Sequence, residues 1–205
     1  AHPGGAGVHV IAGTGSVVVA CAENGDVLRV GGWGPGVGDE GGAWWTACMA
    51  LRMLASRADE GRSPDALGND LLRALGIREP RELLAAVFGR ALDRAGFAAL
   101  ARPVLLRAAS GDRAARAVLA AGADALGAQV ALAARRAGLV KPVVTVSGGM
   151  FDHDPRHARR VVAAACRLGV AARFSRPAGC PLAGALLLAR RKVHPTGFPG
   201  TADIV

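Results

Sequence analysis

The stretch HVIAGTGSVVVACAENGDVLRV, residues 9–30, decides the fold class of this chain. Residues 9–12 and 16–22 are short runs rich in β-branched side chains, and a Gly-Thr-Gly turn separates them. The sequence Glu-Asn-Gly-Asp at 23–26 is a hairpin signal, and residues 27–30 follow it with the composition of a third strand. We therefore predict three antiparallel strands at the start of a sheet.

The rest of the chain predicts helices and two further strands. Apolar residues recur at helical spacing, and Asp112 and Asp154 stand where helix N-caps are expected. The predicted elements, in order, are a helix at 43–57, shorter helices between 57 and 109, a helix at 112–136, a strand at 141–146, a helix at 157–168, a strand at 170–174 and a helix at 181–190. This order indicates an α/β fold in which one mixed sheet is flanked by helices.

The composition excludes several classes of protein. The 205-residue chain is 51% hydrophobic and 20% charged with a mean hydropathy of +0.29, so it can bury a core and is not intrinsically disordered. The longest uninterrupted apolar run, residues 182–189, is shorter than the roughly 20 residues that a membrane span needs. No secretory signal is visible. We therefore expect a soluble, cytoplasmic protein with no membrane partner.

The net charge of +9 raises the question of a nucleic-acid partner. Of the 25 basic residues, 23 are arginines, and nine of these, Arg94 among them, recur between Arg73 and Arg116 as the polar side of predicted helices. No aromatic side chains interleave the tighter basic clusters at 156–160 and 190–192. We expect no nucleic-acid partner.

The cysteines and histidines do not predict a metal site. The four cysteines form no Cys-x-x-C pair and have no histidine at ligand spacing, so we expect buried free thiols: Cys21, Cys48, Cys166 and Cys180. The run Asp-His-Asp-x-x-His at 152–157 has the residue types of a metal site, but a solvated loop followed by a helix cap explains it better.

Two glycine turns follow predicted strands and offer binding groups. In the sequence Gly-Thr-Gly-Ser at 13–16, backbone N–H groups can converge on a phosphate, and the hydroxyls of Thr14 and Ser16 add donors. An ordinary hairpin turn is the alternative. The adjacent Gly148 and Gly149 would let a flat ligand lie against the backbone at the end of a strand, and close packing of a helix on the strand is the alternative.

The sequence GGWGPGVGDEGGAWW, residues 31–45, has the residues that bind a sugar. Seven of its first twelve positions are glycine, Trp33 stands among them, and the carboxylates of Asp39 and Glu40 come just before a predicted helix. A sugar needs a carboxylate to accept its hydroxyl hydrogen bonds and an apolar plate for its ring. Asp39 as a helix N-cap is the alternative, but it does not explain Trp33 or the glycines.

These motifs, in this order, resemble the BadF/BcrA-type ATPase family, and within it the sugar kinases of the N-acetylglucosamine type. The motifs are IAGTGS, GGWG with the following GDEG and tryptophan-rich helix, SGGMF and PLAGALLLA, and the resemblance extends to about Arg191. It implies the actin-like, hexokinase-like fold, in which two ribonuclease H-like lobes close around ATP and a sugar. One departure is Gly42, where the family usually has serine.

The resemblance also implies a role for each matching residue. Thr14 and Gly15 would contact the ATP phosphates, and Gly148 and Gly149 would lie against the adenosine. The sugar pocket would be lined by Ser16, Val17, Gly32, Trp33, Gly34 and Asp39. The implied cofactors are ATP and Mg²⁺, and the implied substrate is an amino sugar.

The same family has a first phosphate loop and a general-base Asp in an N-terminal lobe, whereas no Asp or Glu precedes Gly13 here. We therefore expect residues 1–192 to be the C-terminal lobe, with a helical insertion at about 58–110 and a loosely held tail at 193–205. The catalytic Asp is expected upstream of Ala1, so no catalytic residue is assigned within the chain. The expected partner is that missing lobe or another copy of the chain.

Three functions remain open. The first, which we favour, is ATP-dependent phosphorylation of N-acetylglucosamine or a related hexosamine. The second is a non-catalytic, degenerate lobe that binds nucleotide, sugar or a protein. The third, a nucleic-acid binder, rests on charge alone. The iron–sulfur activators of the same family are disfavoured because the cysteines of this chain do not match their cluster ligands.

Overall fold

The computed structural model describes residues 5–89, 92–152 and 154–179, together with residues 184 and 186. One five-stranded sheet forms its centre, with the strands in the spatial order β3-β2-β1-β4-β5. The strands are β1 (Gly7–Ala12), β2 (Ser16–Cys21), β3 (Val27–Val30), β4 (Val143–Ser147) and β5 (Arg173–Phe174). The first three pair antiparallel, as predicted, and β1, β4 and β5 run parallel. The prediction of a mixed sheet is confirmed.

The parallel pairing of β1 with β4 positions the two glycine turns. Val10 is the register partner of Val146, so Ala12 and Ser147 end the two strands at the same edge of the sheet. The turn after β1 and the glycine pair after β4 therefore leave the sheet side by side. Ligands of open α/β sheets bind at this edge, beyond the carboxyl ends of parallel strands.

A single long helix, α5 (Arg113–Arg136), forms the core between the sheet and a second helix, α7 (Pro155–Arg167). On β1, Val8 and Val10 are fully buried on one face, and α5 contributes Leu126 and Val130 to the same core. Asp112 caps α5 by accepting a hydrogen bond from the Ala115 N–H at 2.9 Å, as predicted. Asp154 and Pro155 begin α7, also as predicted.

Among the described residues, α5 is the one helix whose length and composition would allow it to cross a membrane. More than half of its apolar window is buried within the protein. Its contacts with the sheet, with α7 and with the helix at Ala101–Ala109 explain why α5 is apolar on several sides.

The helices before α5 are α1 (Ala43–Asp59), α2 (Ala66–Leu75), α3 (Arg94–Ala99) and α4 (Ala101–Ala109). A 3₁₀ turn (Pro80–Glu82) and a π-helical turn (Ala85–Gly89) replace the helix predicted near 81–90, and Leu100 interrupts the one predicted near 93–109. The rings of Trp44 and Phe97 stack with centroids 4.0 Å apart, which holds α3 against α1.

The last described strand is shorter than predicted. The Ala172 N–H donates to the Val170 carbonyl in a tight turn, so β5 begins only at Arg173. The remaining described helix is the short α6 (Gly149–Asp152). The predicted helix at 181–190 and the predicted tail at 193–205 lie outside the described residues, apart from residues 184 and 186.

Close packing of α5 on α7 gives a first prediction, at Gly127. A Cβ placed on Gly127 would lie 2.3 Å from the Ala164 Cβ and 2.9 Å from the Val161 carbonyl oxygen. Glycine to alanine within a helix normally stabilises it by about 1 kcal/mol. Here we expect Gly127→Ala to lower the free energy of unfolding by about 1–3 kcal/mol because the backbone of α7 must move. Urea unfolding measures this change.

The control for this prediction is Ala128→Ser at the next, exposed position, which should change the free energy by less than about 0.5 kcal/mol. A stabilised Gly127→Ala variant would show that the two helices do not approach this closely.

His157 in α7 is a buried, uncharged histidine. It is 1% exposed, its ring lies beside Phe151, and neither ring nitrogen has a hydrogen-bond partner among the described residues. Burial, and after it the Arg160 guanidinium, lower the pKa of His157 from 6.5 to about 4, although Asp154 partly opposes the shift.

This histidine makes the stability of the fold depend on pH. The unfolded chain accepts a proton near pH 6.5 and the folded protein only near pH 4, so acid favours unfolding between these values. We expect the free energy of unfolding to contain the full contribution of the uncharged His157 above pH 6.5. It should lose about 2–3 kcal/mol of that contribution on acidification to pH 4.5. In the variant His157→Phe this loss should be absent. Urea unfolding of both proteins at about pH 7.5 and 4.5 measures the loss in each, and the difference between the two losses removes the effect of the carboxylates that both proteins contain. Equal losses would contradict the prediction.

Candidate functional site

The two glycine turns meet, as their strands predict. Gly148 has a φ of +106°, and a Cβ placed on it would lie 2.3 Å from the Ala12 carbonyl oxygen and 3.0 Å from the Gly13 nitrogen. Apart from chain neighbours and, for Gly149, its own helix backbone, no heavy atom of the described residues lies within 4 Å of the Cβ positions of Gly13 and Gly149. Close packing thus explains Gly148, whereas Gly13 and Gly149 leave open space that a ligand could occupy.

The start of α1 fixes the first turn. The Ala43 N–H donates to the Gly13 carbonyl at 2.8 Å, and the Trp44 N–H donates to the Thr14 carbonyl at 2.9 Å. Gly42, the N-cap of α1, packs so tightly that a Cβ on it would lie 2.7 Å from the Gly15 carbonyl carbon. A side chain at residue 42 therefore does not fit this arrangement, which explains the departure from the serine usual in the family.

Asp39 lies at the centre of the site. It is 3% exposed and has a φ of 62°, which is strained for a residue other than glycine. Its Oδ1 accepts from the Gly34 N–H at 3.2 Å, and its Oδ2 pairs with the Arg94 guanidinium at 3.1 Å. A Cβ placed on Gly15 would lie 2.1 Å from the same Oδ2.

The N-cap alternative for Asp39 is therefore wrong. The Asp39 side chain forms no cap hydrogen bond at the start of α1. The Gly42 N–H donates to the Asp39 backbone carbonyl at 3.0 Å. The described structure covers both carboxylate oxygens of Asp39. Arg94, which the sequence placed among solvated helix faces, is one of the covering groups.

Glu40, the neighbour of Asp39, is held in place by hydrogen bonds from Ser16 and Gln129. Ser16 is buried, and its hydroxyl donates to the Glu40 carbonyl at 2.7 Å. The Gln129 amide of α5 donates to the Glu40 carboxylate at 2.8 Å. Ser16 thus holds the loop, and it is not free to bind a ligand in this state. Val17 is half-buried and lies against Gly32.

Trp33 is presented at the surface on an ordered loop. Its side chain is 74% exposed, and the Arg29 guanidinium lies 5.8 Å from its ring centroid. Arg29 also donates to the carbonyls of Gly31 and Gly32, and the Gly38 N–H donates to the Gly34 carbonyl at 2.9 Å. The glycines allow these turns, since Gly32 and Gly34 both have positive φ angles.

Known proteins resemble this chain in both sequence and fold. The model of the BadF/BadG/BcrA/BcrD ATPase family matches residues 1–189. The chain belongs to this family. A protein assigned as an N-acetylglucosamine kinase in Chromobacterium violaceum has a structure that matches with a TM-score of 0.73 and 27% identity, over 92% of this chain and 61% of that one. The predicted fold class, a mixed sheet flanked by helices of the actin-like ATPase superfamily, is confirmed.

Two further relatives are informative. An N-acetylmuramic acid/N-acetylglucosamine kinase of Clostridium acetobutylicum is 26% identical over 149 residues, which is 72% of this chain and 49% of that protein. A ROK hexokinase from Thermus thermophilus, with a TM-score of 0.51 and 19% identity over 93% of this chain and 59% of the hexokinase, shares the fold. The chain thus spans between about half and three-fifths of the length of these relatives.

Sequence reasoning missed three residues of this family member that organise the site. Arg94 covers Asp39, Gln129 holds Glu40, and His9 joins two strands by bonding Thr145 through Nδ1 at 2.7 Å and Ser147 through Nε2 at 2.9 Å. The bonds of His9 steady the end of β4 just before Gly148. The parallel register of β1 against β4, in which His9 is the partner of Thr145, accounts for this contact.

The structure describes most of the residues considered as metal ligands or thiols, within the ranges given above. In those ranges no group of three or more His, Cys, Asp or Glu side chains could hold a metal ion, and Asp154 caps α7 and pairs with Arg160. His153 and Cys180 lie outside the described residues. The expectation of buried thiols is wrong for Cys166, which is exposed. Burial raises the pKa of the half-buried Cys48 thiol, and Arg52 opposes this shift.

The contact between Gly15 and Asp39 gives a prediction with a matched control. Neither Gly13 nor Gly15 has a positive φ, so alanine at each position tests space alone. We expect Gly15→Ala to lower the free energy of unfolding by about 1–3 kcal/mol, because its Cβ must push the Asp39 carboxylate off its partners. Gly13→Ala should change it by less than about 0.5 kcal/mol. Urea unfolding compares the two, and equal effects would contradict the contact.

Proposed function

We propose that this chain is the nucleotide- and sugar-binding lobe of an ATP-dependent kinase that phosphorylates an amino sugar, N-acetylglucosamine or a related hexosamine. One observation carries the proposal: Gly15 lies on the turn that contacts Gly148 at its start and the Asp39 carboxylate at its end. A phosphate-binding turn and a hydroxyl acceptor in contact are what phosphoryl transfer to a sugar needs.

The nucleotide would lie along the two glycine turns. The N–H groups of the turn, that of Gly15 among them, would bind the phosphates together with the Thr14 hydroxyl. The open space beside Gly13 and Gly149 fits phosphate and adenosine, since a side chain at either position would project into it. Gly148 holds the two turns together. The ATP named for the family supplies the phosphoryl group.

The sugar would lie over the glycine loop. Asp39 would accept hydroxyl hydrogen bonds, and Trp33 would offer its exposed ring to the apolar face of the sugar. The backbone of Gly32 and Gly34 and the side chain of Val17 would complete the wall. Ser16 would contribute by holding this wall through the Glu40 carbonyl.

The described part of the chain provides binding and orientation, and the general base lies elsewhere in the proposal. The carboxylates of Asp39 and Glu40 already have partners, and no cluster of three acidic, His or Cys side chains in the described ranges forms a cage for Mg²⁺. The proposed N-terminal lobe would supply the base that takes the sugar hydroxyl proton and a carboxylate for Mg²⁺. That lobe, on the same chain or contributed by another copy, is the proposed partner, and the cytoplasm, where ATP is available, is the proposed location.

The names of the relatives support this assignment. The C. violaceum protein and the C. acetobutylicum kinase are both described by their action on N-acetylglucosamine, and both are longer than this chain. The second candidate function is a lobe that binds nucleotide, sugar or a protein without catalysis. The covered state of Asp39 is the observation that favours it.

Paired variants test the two halves of the site. Asp39→Asn keeps the acceptor for the Gly34 N–H but loses the charge, so we expect about 10–100-fold weaker binding of N-acetylglucosamine and unchanged ATP binding. Thr14→Val removes a phosphate donor, so ATP affinity should fall more than AMP affinity while sugar affinity is kept. Isothermal titration of the 205-residue chain measures the affinities for N-acetylglucosamine, ATP and AMP.

Each variant is the control for the other. Equal loss of sugar and ATP by Asp39→Asn would remove its assigned role, and unchanged ATP affinity in Thr14→Val would remove the phosphate role of the turn. ATP and sugar binding that persist in the full gene product without turnover would favour the non-catalytic function.

A further inference from the structure

His9 is a side chain of β1 whose two ring nitrogens both form hydrogen bonds, and the proposed function assigns it no role. Its Nδ1 is hydrogen-bonded to the Thr145 hydroxyl at 2.7 Å and its Nε2 to the Ser147 hydroxyl at 2.9 Å. His9 and Thr145 are partners in the parallel register, and Ser147 lies two residues further along the same face of β4. One imidazole thus joins β1 to two residues on one face of β4.

The bond to Ser147 lies at the point where β4 leaves the sheet. Ser147 is the last residue of β4. Gly148 follows with a φ of +106° and turns against the Ala12 carbonyl oxygen, and Gly149 begins α6. The His9 side chain therefore holds the residue from which the glycine pair starts.

The glycine pair depends on its neighbours for its orientation, because neither residue has a side chain. The Gly148 carbonyl accepts from the Phe151 N–H at 2.9 Å, and on the other side of the pair Ser147 is fixed by His9. In the proposed function the adenosine lies against this backbone, beside the open space at Gly149. A displacement of Ser147 is therefore carried directly to the adenosine contact.

An imidazole ring is suited to hold two hydroxyls at once. Neutral imidazole has one N–H donor and one acceptor nitrogen, and a hydroxyl can donate or accept, so both bonds form with either tautomer. His9 and Ser147 are both half-buried, where a hydrogen bond is stronger than it is in water. The ring thus keeps the end of β4 in one position.

We propose that His9 is a positioning residue for nucleotide binding, because its hydrogen bond to Ser147 fixes the glycine pair against which the adenosine lies. This inference rests on the proposed function and adds to the same nucleotide site a residue from the neighbouring strand. The bond to Thr145 orients the ring, and the bond to Ser147 transmits that orientation to Gly148.

Two amide substitutions separate the two bonds of His9. A glutamine amide reaches about as far as Nε2 and an asparagine amide about as far as Nδ1, so His9→Gln can keep the Ser147 bond and His9→Asn only the Thr145 bond. We expect isothermal titration of the 205-residue chain to give about three- to tenfold weaker AMP and ATP binding for His9→Asn and little change for His9→Gln. The affinity for N-acetylglucosamine should be unchanged in both.

Substitutions on β4 provide the matched controls. Ser147→Ala should reproduce His9→Asn, and the double variant should bind AMP no more weakly than either single one, because both changes remove the same bond. Thr145→Val removes the other hydroxyl and should leave AMP affinity within about twofold of the wild type. Urea unfolding of each variant shows that the compared proteins are folded at the temperature of the titration.

The outcomes distinguish this inference from the proposed function. Equal AMP affinities of His9→Gln and His9→Asn, or an AMP affinity of Ser147→Ala that matches the wild type, would overturn the positioning role while leaving the nucleotide site in place. Loss of AMP and sugar affinity by the same factor would overturn it too, because His9 would then act on the fold as a whole. A folded wild-type chain that binds neither AMP nor ATP would overturn the proposed nucleotide site together with this inference.

Discussion

The contact of Gly15 with the Asp39 carboxylate is the constraint on which the site depends. Because residue 15 has no side chain, the turn at 13–16, the glycine loop and the start of α1 all reach the same point. Gly42 applies the same constraint from the other side, against the Gly15 backbone. Two glycines thus bring three segments of the chain together, and any Cβ at either position would separate them.

Local sequence signals determine most of the fold. The hairpin at 23–26, the caps at Asp112 and Asp154 and the β-branched runs act through neighbouring residues, and the corresponding strands and helices are where they were predicted. The 3₁₀ and π-helical turns before α3 were missed because helical spacing alone does not distinguish them from an α-helix. The prediction of a lobe at 1–192 with an insertion at about 58–110 stays a prediction.

The contacts in the site that the sequence could not predict are those between side chains far apart along the chain. Arg94 is 55 residues from Asp39, and Gln129 is 89 residues from Glu40. Both look like polar positions on helices, since helical periodicity reports which face is solvated and says nothing of a partner on a distant loop. The residues predicted for the sugar pocket are mostly close together along the chain, because most of them lie within one glycine-rich segment.

A buried carboxylate must always have a partner, and this requirement links the site to its ligand. Leaving Asp39 uncompensated would cost more than the exposed Arg94 gains from pairing with it, because desolvation of a charge outweighs an ion pair at a solvated rim. Asp39 therefore keeps Arg94 as its partner in the described structure. The strained backbone at residue 39 fits the same requirement. The Gly34 N–H donates to the Asp39 carboxylate and the Gly42 N–H donates to the Asp39 backbone carbonyl, and together they hold the carboxylate beside the Gly15 turn.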